Sequence, residues 1–193
     1  MPRVADPKVR RAEVVAAAAA LIASEGPEAL SMRNIADQAG CTIGLLNHWF
    51  KSKDDLIEAV LDQAATAGVD RVKAVVENPD VKLEDVVREF LPLDEERSAE
   101  LRVWLVFWAL SIGRPTLRRG YSQRLRAMRE EITREVSERG IVTKDVTQFI
   151  DTLMAMLDGI SVNAIAEPDY WTIDRQTKTL RWMLKQMAPK ALV

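Results

Sequence analysis

Along this chain apolar residues return every three or four positions, and no stretch alternates apolar with polar as a half-buried strand does. Val14, Val15, Ala18, Leu21 and Ile22 form one such stripe and predict a helix over 8–24, ended by Glu25-Gly26-Pro27. Met32, Ile35, Ala36 and Ala39 form a second, and Leu45, Leu46, Trp49 and Phe50 a third. A long helix over 52–78 (Leu56, Ile57, Val60, Leu61, Ala64, Val69, Val72, Val76) stops at Asn78-Pro79 and is followed by a short amphipathic one over 82–90. Residues 98–113 leave almost no polar face, which predicts a central helix buried on all sides. A charge-rich helix over 116–139 turns Leu117, Tyr121, Leu125, Met128, Ile132 and Val136 to the core and stops at Gly140. Helices over 143–166 and 173–187, parted by Glu167-Pro168-Asp169, close the chain. The prediction is an all-α fold of about nine helices without repeats or Gly/Ser linkers.

The shortest elements carry the most specific signal. Ser31 is an N-cap residue type before the second stripe, Gly40 can adopt the left-handed conformation that closes a helix, and Thr42 is again an N-cap type. The helix that Thr42 opens is about two turns long, a size that fits a DNA major groove, and its solvent face carries Thr42, Ile43, Asn47 and His48. Ser52-Lys53-Asp54-Asp55 then repeats the capping-box pattern. Spacing alone predicts a helix-turn-helix, a geometry that plain packing pairs share.

Composition narrows the chemistry. With 48% hydrophobic and 29% charged residues the chain is an ordinary globular one. The net charge of −2 conceals an asymmetry: residues 1–53 hold seven Lys and Arg against five acids, and the remainder twenty against twenty-four. Arg3, Lys8, Arg10 and Arg11 crowd the N-terminus, while Arg33, Lys51 and Lys53 flank the short helix pair. One cysteine, Cys41, allows no intramolecular disulfide, and one histidine, His48, offers no cluster for a metal or for acid–base work. No catalytic residues, metal or cofactor are expected, since Ser-His-Asp sets and Gly-rich phosphate loops are missing too. No signal-peptide pattern or bilayer-length apolar run stands out, so a reducing cytoplasm and no membrane partner are the expectation.

The residues of the helix pair carry more than spacing. Ile35-Ala36, Ala39-Gly40, Thr42, Gly44, Trp49-Phe50 and Ser52-Lys53-Asp54-Asp55-Leu56 together resemble the DNA-binding region of TetR-family regulators. Two positions depart from that pattern: Asn47 stands where the family usually has a phosphate-contacting Tyr, and Cys41 where Val is common. The resemblance implies a head over 1–53 that binds double-stranded operator DNA and an effector-binding and dimerisation part over 54–193. It implies that Arg33, Asn47, Lys51 and Lys53 touch phosphates while Thr42, Ile43, Leu45 and His48 face the bases, with Gly44 also among the DNA-binding residues.

Trp104, Phe107 and Trp108 have i, i+3, i+4 spacing, so three rings can share one helix face, and with Tyr121 they are the expected effector pocket, suited to a cationic or apolar small molecule. A close-packed core accounts for the same spacing. The run from Val103 to Ala109 and Asn47-His48-Trp49-Phe50 resemble the choline-responsive repressors within the TetR family, which implies a quaternary-ammonium or polyamine-like effector. The resemblance also implies a homodimer joined through the last two helices, with Met154, Leu157, Met183, Leu184 and Met187 as the expected interface; an intramolecular core accounts for the same residues. The expected function is a ligand-responsive repressor released from a palindromic operator. The rival is a helical enzyme or small-molecule-binding protein that uses the Trp104/Phe107/Trp108 pocket without DNA.

Overall fold

The computed structural model describes residues 6–78, 80–138 and 145–188. Among these it is all-α: α1 (Pro7–Glu25), α2 (Met32–Gln38), α3 (Ile43–Trp49), α4 (Lys53–Val76), α5 (Leu83–Arg88), α6 (Glu95–Gly113), α7 (Pro115–Glu138), α8 (Val146–Ala166) and α9 (Ile173–Met187), with a 3₁₀ turn over Pro27–Ala29. The stops expected at Pro79 and Gly140, and the start at Thr143, lie outside the described residues.

Two compact units organise the chain, one from residues 1–66 with 99–121, the other from 67–98 with 122–193. The first is therefore larger than the head expected over 1–53. Its core joins Ile22, Ile35, Leu46, Phe50, Leu56 and Leu61 to Val103, Phe107 and Leu117, so α6 and the start of α7 complete the packing of α1 to α4. Burying side chains of this size contributes roughly 1.5–3 kcal/mol each, which outweighs the weak intrinsic stability of seven-residue helices such as α2 and α3.

The second unit packs Leu83, Val87 and Leu91 with Ile132, Val136, Phe149, Leu153, Leu157, Leu180 and Leu184. Buried Glu84 of α5 receives two hydrogen bonds from Arg181 of α9, Nε to Oε2 at 2.9 Å and Nη2 to Oε1 at 2.7 Å. The fork-on-carboxylate geometry satisfies a charge that would otherwise be costly to bury. Within this unit α8 is long and apolar enough to cross a bilayer, a property that core helices share, and its Phe149, Leu153 and Leu157 are taken up by the unit's own core.

Burial corrects one expectation, for α6, and shows where the residues expected at an interface lie in the single chain. The helix α6 is not enclosed on all sides: Trp108 is 55% and Ile112 69% exposed, and only Val103, Val106, Phe107 and Ser111 are buried. In the last two helices Met154, Leu157 and Leu184 are buried in the core of their own unit, and Met183 and Met187 are half-buried. The large apolar side chains that α8 and α9 leave exposed are Val162, Ile173 and Trp182, with Tyr170 between the helices.

Asp94, the residue before α6, accepts from the Arg97 backbone N–H at 2.8 Å and from Arg97 Nε at 2.9 Å. The backbone hydrogen bond, aided by the guanidinium, holds its carboxyl below the usual range. A carboxyl with a lowered folded-state pKa adds stability above its unfolded pKa and loses it as pH falls through the folded value. Asp94→Ala is expected to lose about 1 kcal/mol at neutral pH, as helix caps do, and to converge on the wild type in acid. Thermal melts at pH 7 and pH 3 check this; an equal deficit at both would refute it.

Candidate functional site

The head is built from caps and one turn. Ser31 Oγ accepts from Asn34 N–H at 3.0 Å and starts α2; Thr42 Oγ1 accepts from Leu45 N–H at 3.2 Å and starts α3. Between them the backbone turns at Gly40, φ +60°. Cys41 N–H bonds to the Ala36 carbonyl at 2.9 Å and Gly40 N–H to that of Asp37 at 3.3 Å, the paired bonds of a Schellman C-cap. No atom stands within 4 Å of where a Gly40 Cβ would lie, so the demand for glycine here is conformational rather than steric.

A third cap follows α3. Ser52 Oγ accepts from Asp55 N–H at 3.1 Å, while Asp55 Oδ2 accepts from Lys51 N–H at 2.9 Å. The expected capping box at Ser52 is thus shifted by one residue at its return bond. It folds the Lys51–Lys53 turn tightly, with both lysines exposed.

These caps set the facing of α3. Leu46 and Phe50 are buried, Leu45 and Trp49 half-buried, and Thr42, Ile43, Gly44, Asn47 and His48 exposed. Arg33, on α2, is exposed as well. Side chains that could contact a duplex are therefore gathered on one short helix and its flanks, held from behind by two fully buried residues. Cys41 is half-buried and burial pushes its thiol up, against a weaker opposing effect of Arg10, so it stays protonated.

Several contacts here have no signal in a local pattern. The Arg11 guanidinium lies over the Phe50 ring at 4.7 Å, bringing α1 to the end of α3. Asn34 Nδ2 donates to the Ala29 carbonyl at 3.0 Å, bracing α2 against the 3₁₀ turn. Arg114, between α6 and α7, donates from Nη1 to Asp54 Oδ1 at 2.7 Å, although 60 residues separate them. An arginine inside a glycine–proline break was the available cue for the last, without indicating the partner.

The four aromatic residues expected to line a pocket divide. Trp104 and Tyr121 meet edge to face, ring centroids 5.7 Å apart and planes at 67°. Phe107 is fully buried in the core shared with Leu46 and Phe50, while Trp108 points outward. Among the described residues no group of three or more His, Cys, Asp or Glu could hold a metal ion.

Comparison with known proteins agrees with this geometry. Residues 14–60 match the family described as bacterial regulatory proteins, tetR family, and residues 79–189 that of the BetI-type transcriptional repressor, C-terminal. The chain is 25% identical over 173 residues to the HTH-type transcriptional regulator PksA of Bacillus subtilis, spanning 87% of this chain and 84% of that protein. A transcriptional regulator from Rhodococcus sp. Rha1 superposes with a TM-score of 0.85 at 26% identity, covering 95% of this chain and 98% of the other. A regulator from Saccharomonospora viridis, solved in complex with choline, has the same fold at a TM-score of 0.81 and 20% identity, covering 94% and 98%.

Proposed function

The chain belongs to the TetR family of bacterial regulatory proteins and is a DNA-binding transcriptional regulator with a BetI-type C-terminal part, not an enzyme; on that premise we propose how it works. It acts inside the cell, in our reading in the cytoplasm, as a homodimer whose two α3 helices enter successive major grooves of a palindromic operator. The observation that carries this is the exposure of Thr42, Ile43, Asn47 and His48 on a helix whose opposite side is fixed by Leu46 and Phe50. In this assignment Arg33, Asn47, Lys51 and Lys53 neutralise phosphates, Thr42, Ile43 and His48 meet base edges, and Gly44 lets the helix approach the duplex closely. Leu45 is half-buried and has the smaller share of contact.

The effector is a small cationic or apolar molecule, and the choline bound by the structurally similar Saccharomonospora regulator makes a quaternary ammonium the first candidate. Trp104 and Tyr121 are the residues we assign to it, with Phe107 behind them as a core support. Coupling to DNA follows from shared packing: Trp104 and Phe107 lie on α6, α6 packs in one core with Leu46 and Phe50, and Arg114 at its end bonds Asp54 in the first turn of α4. A ligand that prefers an α6 position incompatible with operator spacing weakens DNA binding by the same coupling free energy, typically ~1–3 kcal/mol. The dimer forms, in our reading, through the exposed Val162, Ile173 and Trp182 of α8 and α9, with Met183 and Met187 at its margin.

A gel-shift titration with the DNA upstream of its own gene tests this. A salt-sensitive complex should form and should weaken about 5- to 150-fold with saturating choline or another quaternary amine. A folded dimer without any such complex at low salt would favour the rival small-molecule-binding protein. A complex indifferent to every cationic ligand would sink only the effector assignment.

A further inference from the structure

Residues 101–129 contain seven arginines and no acidic residue or lysine, in a protein whose net charge is −2. Most of these arginines are engaged. Arg114 bonds Asp54, Arg129 lies 3.2 Å from Asp151, and Arg102 and Arg124 also have partners. Arg118 and Arg119, like Arg126 two turns further along α7, are exposed, and among the described residues their side chains have no hydrogen-bond, ion-pair or ring partner.

Their place is unfavourable for a cation. They lie in the opening turns of α7, where unsatisfied backbone N–H groups carry partial positive charge, and no acid stands in its first turn. Intramolecular stability gives no reason for two guanidinium groups there. Buried Leu117 fixes this part of α7 in the same compact unit as the DNA-binding head, and the 2.7 Å bond from Arg114 to Asp54 pins it beside Lys53. Arg118 lies one turn on from Arg114 on the same helical face, about 6 Å along the axis.

We propose that the opening turns of α7 are a second DNA-backbone contact, in which Arg118 and Arg119 extend the phosphate-binding strip of Lys51 and Lys53 along the duplex. The proposal rests on the operator-binding reading and adds to it a contact outside the helix-turn-helix. A phosphate supplies what α7 lacks at this end, a negative charge with acceptor oxygens that suit the planar guanidinium fork. Because phosphates are the same in every sequence, these arginines raise affinity without choosing bases.

The test is fluorescence anisotropy of the full chain across a salt series, on a duplex from the upstream DNA and on a random duplex of equal length. The variants are Arg118→Ala/Arg119→Ala and Arg118→Lys/Arg119→Lys, each with a thermal melt to check the fold. Every arginine–phosphate pair removed lowers the slope of log K against log salt by about 0.9, so the slope of a dimer should fall by about 1.8 with one pair per subunit and about 3.6 with two. The alanine variant should weaken binding by the same factor on both duplexes, and the lysine variant should recover most of the slope. An alanine variant with wild-type slope and affinity, or one that loses affinity on the upstream duplex alone, overturns the proposal. If wild-type protein forms no salt-sensitive complex with either duplex, the operator-binding reading itself fails, and the proposal with it.

Discussion

Phe50→Ala is expected to cost about 3–5 kcal/mol and to abolish operator binding at the same time. Phe50 is 1% exposed, the residue at which α3 ends, and its ring also carries the Arg11 guanidinium at 4.7 Å. Removing it leaves a cavity between α1, α3 and the residues of α6 that share the core, and it releases the N-terminal end of α1. Against a total stability of 5–15 kcal/mol typical of such chains, the loss is a large fraction. Thermal or urea unfolding followed by circular dichroism measures it, and anisotropy on the upstream duplex measures binding. Phe50→Leu, which keeps most of the volume, should lose far less of both. A loss under about 1 kcal/mol for the alanine variant would show that the core closes over the site and that α3 does not depend on this anchor.

The second large effect separates two kinds of DNA contact. Lys53→Ala should weaken binding to all duplexes alike and lower the salt slope, because a lysine at the exposed α3–α4 turn meets phosphates. His48→Ala should instead change which bases are preferred, by about 1–3 kcal/mol at the position it contacts. His48 is exposed on the last turn of α3, and an imidazole carries two nitrogens able to hydrogen-bond a base edge. Binding of each variant to a panel of single-base operator substitutions distinguishes the two. An even loss across the panel from both variants would remove His48 from base readout.

Local patterns determine the head, and they were legible. The spacing of Ile35, Ala36 and Leu46, the caps at Ser31 and Thr42 and the glycine at position 40 involve neighbours within five residues, and the structure realises each of them. What spacing does not convey is which apolar face has a neighbour. The stretch 98–113 is apolar all round, yet Trp108 and Ile112 face outward because no element of the described chain covers that side of α6. Met154, Leu157 and Leu184 suit an interface by composition, and spacing gave no sign that Ile132, Val136 and Leu83 of other helices share one core with them. Arg11 over Phe50 and Arg114 on Asp54 are products of tertiary packing, and one-dimensional periodicity has no place for them.

The core around Phe50 draws on two separated stretches of chain, 1–66 and 99–121, and this bears on engineering. A chimeric repressor made by joining the first fifty or so residues to another sensor would leave Ile35, Leu46 and Phe50 facing a foreign surface in place of Val103, Phe107 and Leu117. A transplanted head is therefore expected to keep its stability best when α6 and the start of α7 travel with it, or when the outward residues of α3 are rewritten in place.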